Sequence, residues 1–138
     1  MEEPLRKEFS LVVKKYAKDT TPQLMKRPAL RAIMWERTSG RCWYCGEPMN
    51  PFSEFSIDHL VPICDGGTNT YDNLVPCCRM CNAVKRGLGM DAFRARMASR
   101  RLPLFSEEQR HYLESLGVDI ELPTVADYAF YFEREGLR

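Results

Sequence analysis

The sequence contains no apolar run that approaches the ~20 residues a membrane-spanning helix needs. One early apolar stretch, residues 11–13, is followed at once by two lysines. The first residues include no basic segment followed by an apolar one, so we expect no secretory signal. Internal repeats and low-complexity segments are lacking as well. These absences predict a soluble, cytoplasmic protein with no membrane partner.

The chain has 138 residues, of which 44% are hydrophobic and 28% are charged. Both values are ordinary for a globular protein and exclude a wholly disordered chain. A domain of this size can bury roughly 68–70% of the surface that its unfolded form exposes. We therefore predict a single domain over 1–138, with a helical N-terminal arm (1–39), a core (40–87) and a helical C-terminal extension (88–138).

The net charge is only +1, but the charges are unevenly distributed along the chain. Residues 1–41 sum to +5, residues 42–78 to −5, residues 79–101 to +6 and residues 102–138 to −5. An acidic centre between two basic segments suits a polyanion that meets carboxylates through a metal ion. Solvated helix faces would produce the same segregation of charge.

Six cysteines are present, and four of them form two Cys-x-x-Cys pairs, Cys42/Cys45 and Cys78/Cys81. Each pair can present two thiolates from a tight turn, and four thiolates satisfy tetrahedral Zn²⁺. A disulfide framework needs an oxidising compartment, and nothing in the sequence directs export. We therefore predict a structural zinc site, with redox-active or simply buried cysteines as the alternatives.

Two cysteines are left over by this assignment. Cys77 could replace Cys78 as a ligand, which we rank as the second choice. Cys64 is expected to be a small buried side chain.

Periodicity predicts helices over much of the chain and two short strands in its centre. A helix is expected over 4–18, and another begins at Pro28, buries Leu30, Ile33 and Met34, and stops at Gly40. The strands are expected at 55–57 and 74–75.

A helix should follow Cys78, run to about Lys85 and close at Gly87. Further helices are expected from Asp91, from the capping box of Ser106 to Gly117, and from Thr124 to Gly136, the last packing Val125, Tyr128, Ala129 and Phe132 on the core. The predicted fold class is α+β, a small strand–strand–helix centre wrapped by helices.

Between the two cysteine pairs lies Asp58-His59, which combines a hard oxygen ligand with an imidazole that titrates near neutrality. Neighbours on a regular strand point to opposite faces, so a strand end or a bulge is needed for both to act at one site. Asn73 and Asn82 follow. An isolated Asp-His pair is more often structural than catalytic, so the whole set carries the argument.

Taken together, "CWYCG", "IDHLVPICDGGTNTYDNLVPCC" and "CRMCNAVKRG" resemble the HNH endonuclease family. The resemblance spans residues 40–87, about a third of the chain. It implies a ββα-metal core with one divalent ion at the scissile phosphate.

The resemblance implies a role for each motif position. His59 would be the general base that deprotonates the attacking water, and Asp58 would bind the catalytic metal. Asn73 would brace the loop that carries His59. Asn82 stands where the family usually has histidine and would be the second metal ligand, with helix capping as its alternative reading. An amide oxygen is harder than imidazole, so we predict Mg²⁺ or Mn²⁺ rather than Zn²⁺ at this site.

The implied activity is hydrolysis of DNA, double-stranded in the first instance, to 5′-phosphate and 3′-hydroxyl ends. Phosphate contacts are expected from Lys85, Arg86, Arg79 and Arg94, with Arg96, Arg100, Arg101, Lys14 and Lys15 as further candidates. For Lys85 and Arg86 an alternative is nearly as plausible: basic residues at the C-terminus of a helix interact favourably with the helix dipole.

A monomer would nick one strand, whereas a homodimer could cut both. The aromatic residues Phe130, Tyr131 and Phe132 fit either core packing, which we favour, or a dimer surface. The competing functions are a non-catalytic zinc-ribbon module that binds nucleic acid on the same scaffold, and a zinc-dependent adaptor that binds protein.

Overall fold

The computed structural model of this chain describes residues 2–18, 21–51, 55–119 and 121–138. Seven α-helices lie in these ranges, together with two strands, β1 (Ser56–His59) and β2 (Leu74–Cys77). The helices are α1 (Glu2–Lys15), α2 (Thr21–Met25), α3 (Pro28–Arg37), α4 (Arg79–Lys85), α5 (Met90–Arg101), α6 (Glu107–Ser115) and α7 (Tyr131–Arg134). The α+β class is confirmed. No helix in the described part of the chain is long and apolar enough to span a membrane.

The two strands form an antiparallel pair that positions the Asp58-His59 motif. Asp58 lies opposite Val75, and His59, the last residue of β1, lies opposite Leu74. Every residue of β2 is buried, whereas β1 buries only Ile57 fully. The hairpin therefore packs mainly through β2 and leaves the end of β1 accessible.

One residue, Cys78, separates β2 from helix α4, which completes a β–β–α unit. Cys78 caps the helix through its Sγ, which accepts a hydrogen bond from the backbone N–H of Cys81 at 3.4 Å. The helix ends where Arg86 adopts a left-handed conformation (φ 50°), close to the end that the sequence predicts.

A first buried cluster joins the N-terminal helices to the hairpin. Leu30, Ile33 and Met34 of α3 are buried, as the sequence predicts. Phe9 of α1 packs edge-on against Tyr71, with ring centroids 5.6 Å apart. The arm thus covers one face of the hairpin.

A second buried cluster surrounds the cysteine pairs and is closed by the C-terminal residues. Phe130 is fully buried, and Phe132 stacks on Trp43 with ring centroids 5.4 Å apart. The backbone N–H groups of Tyr131 and Phe132 donate to the carbonyls of Tyr44 and Trp43, at 2.9 and 3.1 Å. Phe130 therefore lies in the core and Phe132 packs against it, the arrangement that the sequence favours, whereas Tyr131 is half-buried outside the cluster.

The predicted helix from Thr124 to Gly136 is wrong. Thr124 caps only one 3₁₀ turn, Val125–Asp127, and the chain is extended at Tyr128 and Phe130 before the four residues of α7. Extended backbone is what allows Phe130 to enter the core beside the first cysteine pair, and Val125 is consequently exposed. Tertiary packing here overrides the helical periodicity.

Candidate active site and metal centre

The thiols of Cys42, Cys45, Cys78 and Cys81 converge, all four Sγ atoms lying within 4.8 Å of one another. Those of Cys45 and Cys78 are 3.8 Å apart. Tetrahedral Zn²⁺ with Zn–S bonds of about 2.3 Å separates its sulfurs by roughly 3.8 Å. The residues therefore fit a four-thiolate metal such as zinc, and such a metal would tie the turn of the first pair to the start of α4.

The four clustered thiols shift one another's pKa values. Hydrogen bonds from the neighbouring thiols lower the pKa of Cys78 far below its usual range and that of Cys42 to about 7. The same contacts raise the pKa values of Cys45 and Cys81. Metal ligation requires thiolates, so binding of a cation to all four residues would release the protons that the thiols hold.

The two remaining cysteines lie elsewhere. Cys77 is buried in the second cluster, where burial raises the pKa of its thiol, so the converging set contains Cys78 and not Cys77. The expectation that Cys64 is buried is wrong. It lies in the exposed 3₁₀ turn Ile63–Asp65, which is preceded by Pro62 and ended by Gly66 in a left-handed conformation. No residue of this turn packs in the core.

Asp58 is held by two donors that contact the same oxygen. Its Oδ2 accepts a hydrogen bond from the Tyr44 hydroxyl at 2.6 Å and pairs with the Lys85 ammonium at 2.8 Å. Burial, and then the negative charge of Asp58, raise the pKa of Tyr44 well above its usual range, so the phenol stays protonated and donates. Both contacts use Oδ2, and no residue that the structure describes donates to Oδ1, which therefore remains available to a ligand.

The predicted contact of Lys85 with phosphate is wrong. Its side chain is 1% exposed, and besides Asp58 its Nζ donates to the carbonyl of His59 at 2.7 Å. A buried ammonium needs such partners because an unpaired charge in the interior is costly. Lys85 therefore links the two adjacent residues of the Asp58-His59 motif.

The predicted contact of Arg94 with phosphate also conflicts with the structure. The guanidinium forms two hydrogen bonds to Glu133, at 2.7 and 2.8 Å, and a third to the carbonyl of Tyr128. It also lies over the Phe130 ring, 4.9 Å from its centroid. Arg94 thus fastens the C-terminal residues to α5.

His59 faces the loop between the strands, where its Nε2 lies 2.7 Å from Oδ1 of Asn69. Because an amide oxygen only accepts, this contact assigns the ring proton to Nε2. The lone pair of Nδ1 is then the one available to accept a proton. Asn69 is thus a positioning residue for the His59 ring.

Asn73 fastens the segment just after His59. Its Oδ1 accepts from the N–H of Val61 at 2.8 Å, and its Nδ2 donates to the carbonyls of Val61 and Thr68 at 3.0 and 2.8 Å. Gly67 lies against this clamp, since a Cβ there would come within 1.8 Å of the Val61 oxygen. These contacts are of the bracing kind expected of Asn73.

The other expected site residues lie along α4. Asn82 is in the middle of the helix and exposed, and the helix is capped by Cys78, so the capping alternative for Asn82 is wrong. Asn82 precedes Lys85 by three residues, a spacing that makes them neighbours on the helix surface. Arg79, the first helical residue, and Arg86, just beyond the last, are both exposed.

The sequence does not identify two of the residues that position the site, Tyr44 and Asn69. Tyr44 lies between the two cysteines of the first pair, where the sequence indicates only an aromatic residue, and Asn69 is typical of a loop. Tyr44 reaches Asp58 from the turn of the first cysteine pair, which is joined to β2 by the hydrogen bond from the Trp43 N–H to the Pro76 carbonyl at 2.9 Å, and Asn69 reaches His59 from the loop between the strands. A hint existed for Tyr44, because a buried tyrosine usually finds a partner for its hydroxyl.

The comparison with protein families decides what this unit is. Residues 42–96 match the family described as HNH endonuclease. This segment belongs to the HNH endonuclease family. The match includes both cysteine pairs, the hairpin, α4 and the first half of α5, so the HNH domain coincides with the candidate site.

Relatives of the HNH domain occur within larger proteins. The chain is 43% identical over 61 residues to the CRISPR-associated endonuclease Cas9 of Corynebacterium diphtheriae, an alignment covering 40% of this chain and 6% of that protein. The crystal structure of the Type II-C Cas9 enzyme from Actinomyces naeslundii aligns with a TM-score of 0.45 and 20% identity, over 80% of this chain and 12% of that one. The chain therefore spans only a small part of either relative.

Proposed function

We propose that this chain is a divalent-metal-dependent endonuclease that hydrolyses phosphodiester bonds of DNA. The observation that carries the proposal is the state of the Asp58-His59 pair within the HNH domain. Asp58 is held through one oxygen with the other left for a cation, and His59 is held through Nε2 with Nδ1 left for a proton. A purely structural pair would have no reason to keep both groups available.

His59 acts as the general base in this proposal. Its Nδ1 takes a proton from water, and the resulting nucleophile attacks phosphorus in line with the leaving 3′-oxygen. The P–O3′ bond breaks, which leaves a 5′-phosphate and a 3′-hydroxyl. The hydrogen bond from Nε2 to Asn69 holds the ring and shares the positive charge that develops on it.

Asp58 and Asn82 would hold the catalytic ion, and their hard oxygens suit Mg²⁺ or Mn²⁺. When bound, the cation stabilises the negative charge that develops on the phosphate and the leaving oxygen. Lys85 pairs with Asp58 and, through the His59 carbonyl, holds the two residues in place relative to each other. Asn73 fixes the loop behind His59, which limits the movement of the base.

The four-cysteine site is proposed to hold structural Zn²⁺, separate from the catalytic ion. Tyr44, inside the first cysteine pair, bonds to Asp58, and α4, whose start carries the second pair, contributes Lys85. A metal that joins the two pairs would therefore fix both donors to Asp58.

We also propose that the chain is one domain with an N-terminal arm (1–39), a core (40–87) and a C-terminal extension (88–138).

A plasmid assay tests the activity. Purified full-length chain is incubated with supercoiled DNA and Mg²⁺ or Mn²⁺, with EDTA as the control. We expect metal-dependent open circles, which precede linear product if a monomer nicks one strand, or linear product at once if a dimer cuts both. Plasmid left intact with every divalent ion, while the protein still binds DNA, would support the non-catalytic binding module instead.

A further inference from the structure

A groove between α4 and α5 concentrates positive charge beside the candidate site. Its volume is about 410 Å³, and its lining includes three arginines and no carboxylate among the described residues: Met80, Ala83, Val84, Arg86, Arg96, Ser99 and Arg100. Three like charges on one concave surface repel one another unless a counter-charge is present. The groove therefore favours an anionic occupant.

Two of the guanidiniums are held in place by the end of α4. Arg96 donates from Nη1 to the carbonyl of Val84 at 3.0 Å, and Arg86 donates from Nε to the carbonyl of Ala83 at 3.1 Å. Each contact uses one of the five N–H groups that a guanidinium carries. The remaining donors are thus oriented in advance, which reduces the entropy lost when an anion binds.

Arg100 extends the same surface. It lies one helical turn beyond Arg96 on α5, is exposed, and makes no recorded hydrogen bond or ion pair with any residue that the structure describes. The exposed Met80, at 41% relative exposure, adds an apolar surface to the same groove.

The groove adjoins the proposed catalytic ion. Arg86 follows the last residue of α4, and its backbone N–H donates to the carbonyl of Asn82 at 3.1 Å, so the two residues lie next to each other at the end of the helix. A polyanion bound at Asn82 would therefore reach Arg86 first and then Arg96 and Arg100.

We propose that the α4–α5 groove binds the phosphate backbone of the DNA strand next to the scissile phosphate. This inference rests on the proposed function and narrows it: Arg86, Arg96 and Arg100 make the contacts, whereas Lys85 and Arg94 are engaged elsewhere. The contacts position the strand and carry no base readout, because they address phosphate oxygens only.

Binding by inactive protein tests the groove apart from cleavage. The His59→Ala chain is titrated against a fluorescent DNA duplex without divalent metal, at several salt concentrations. The variants are Arg96→Ala with Arg100→Ala, and, as a control with the same loss of charge, Lys7→Ala with Lys26→Ala, two exposed lysines of the N-terminal arm. Arg100→Glu alone serves as a second groove variant, because Arg100 is exposed and makes no hydrogen bond or ion pair with the residues in the described ranges.

We expect the groove pair to weaken binding at least tenfold and to reduce the slope of log K against log salt by about 0.9 per arginine. The lysine control should stay within about twofold of its parent. Equal losses in both pairs would overturn the groove in favour of diffuse charge, as would unchanged binding by Arg100→Glu. If the wild-type chain cleaves plasmid while the groove variants bind as their parent does, the groove is wrong and the nuclease stands. A wild-type chain that neither binds nor cleaves DNA would refute both.

Discussion

At the scale of single residues, the site depends on which atoms are already engaged. Oδ2 of Asp58 is taken by Tyr44 and Lys85, and Nε2 of His59 is taken by Asn69. These contacts leave one oxygen and one nitrogen, and both are required by the proposed chemistry. Removing a positioning contact should therefore impair the reaction without removing any reacting group.

Asn69→Ala tests this idea on the base. The ring of His59 loses its fixed orientation and tautomer, so we expect cleavage to slow by about 10–100-fold, the usual size for loss of an orienting partner. Asn69→Asp, which still accepts from Nε2–H, should recover part of the rate. The measurement is the single-turnover rate of plasmid nicking. An Ala variant as fast as wild type would show that Asn69 does not position the base.

The residue scale is also where sequence reasoning was least complete. The Cys-x-x-Cys pairs were predictable because each pair is local and its spacing is typical of zinc turns. The sequence predicts Lys85 and Arg94 to be surface cations, which is wrong because each pairs with a carboxylate that is distant in sequence, Asp58 and Glu133 respectively. Burial and pairing of a charge depend on tertiary packing, which a local motif does not contain.

At the scale of secondary-structure elements, the loop between the strands is the least tolerant part of the site. A Cβ on Gly67 would lie 1.8 Å from the Val61 oxygen and 2.9 Å from Nδ2 of Asn73. The clamp made by Asn73 would therefore have to open.

Gly67→Ala is expected to lower the free energy of unfolding by about 1–3 kcal/mol, the range for forced overpacking, and to reduce cleavage as well. Gly89→Ala is the matched control, because nothing lies within 4 Å of a Cβ at that position. Urea denaturation and the nicking rate measure the two effects. A Gly67 variant as stable and active as the Gly89 variant would contradict the described packing.

The contact between α5 and α7 gives a pH-dependent contribution to stability. Hydrogen bonds from Arg94 lower the pKa of Glu133 below its usual value of 4.5. The pKa of Glu133 is therefore lower in the folded state than in the unfolded state. At a pH above the unfolded-state pKa the ion pair stabilises the fold, and this stabilisation is lost as the pH falls through the folded-state pKa.

Glu133→Gln should therefore lower the free energy of unfolding by about 0.5–1 kcal/mol at pH 7, as expected for a partly exposed pair. The difference from wild type should shrink as the pH is lowered from about 4.5. Denaturation at pH 7 and at pH 3.5 measures it, with the exposed Glu135→Gln as control. A difference that stays constant with pH would exclude the pair as its source.

Most elements were predictable from periodicity and capping, and the exception is instructive. The helices at Pro28 and Ser106 have strong start signals and apolar or capped positions that agree with their surroundings. The final segment has a capping box at Thr124 too, but its aromatic residues pack better from an extended chain. The capping box of Thr124 therefore accounts for the single turn Val125–Asp127, whereas core packing determines the extended conformation of Tyr128 and Phe130.

At the scale of the whole molecule, the hairpin lies between two buried clusters, one with the N-terminal helices and one with the cysteine pairs and C-terminal residues. The proposed zinc joins the first cysteine pair to the start of α4 within the second cluster. Metal loss should therefore affect both stability and the orientation of Asp58.

Cys78→Ser should lose the metal and lower the melting temperature, whereas Cys77→Ser should keep one bound zinc per chain. Cys77 is buried but lies outside the converging set, which makes it the matched control. Elemental analysis of the purified variants measures the zinc content. Loss of zinc in the Cys77 variant alone would show that the ligand set is wrong.

The most direct test of the central claim compares the two histidines of this chain, His59 and His111. His111 is 90% exposed on α6 and lies outside the candidate site, so His111→Ala controls for the substitution itself. Nicking of supercoiled plasmid is monitored with saturating Mg²⁺ or Mn²⁺, with zinc content and DNA affinity measured for each variant.

The proposed mechanism predicts that His59→Ala slows nicking by about 10²–10⁴-fold, as for loss of a general base, with zinc content and DNA affinity unchanged. His111→Ala should nick like wild type. A His59→Ala variant that nicks as fast as wild type would contradict the assignment of His59 as the base and with it the proposed active site.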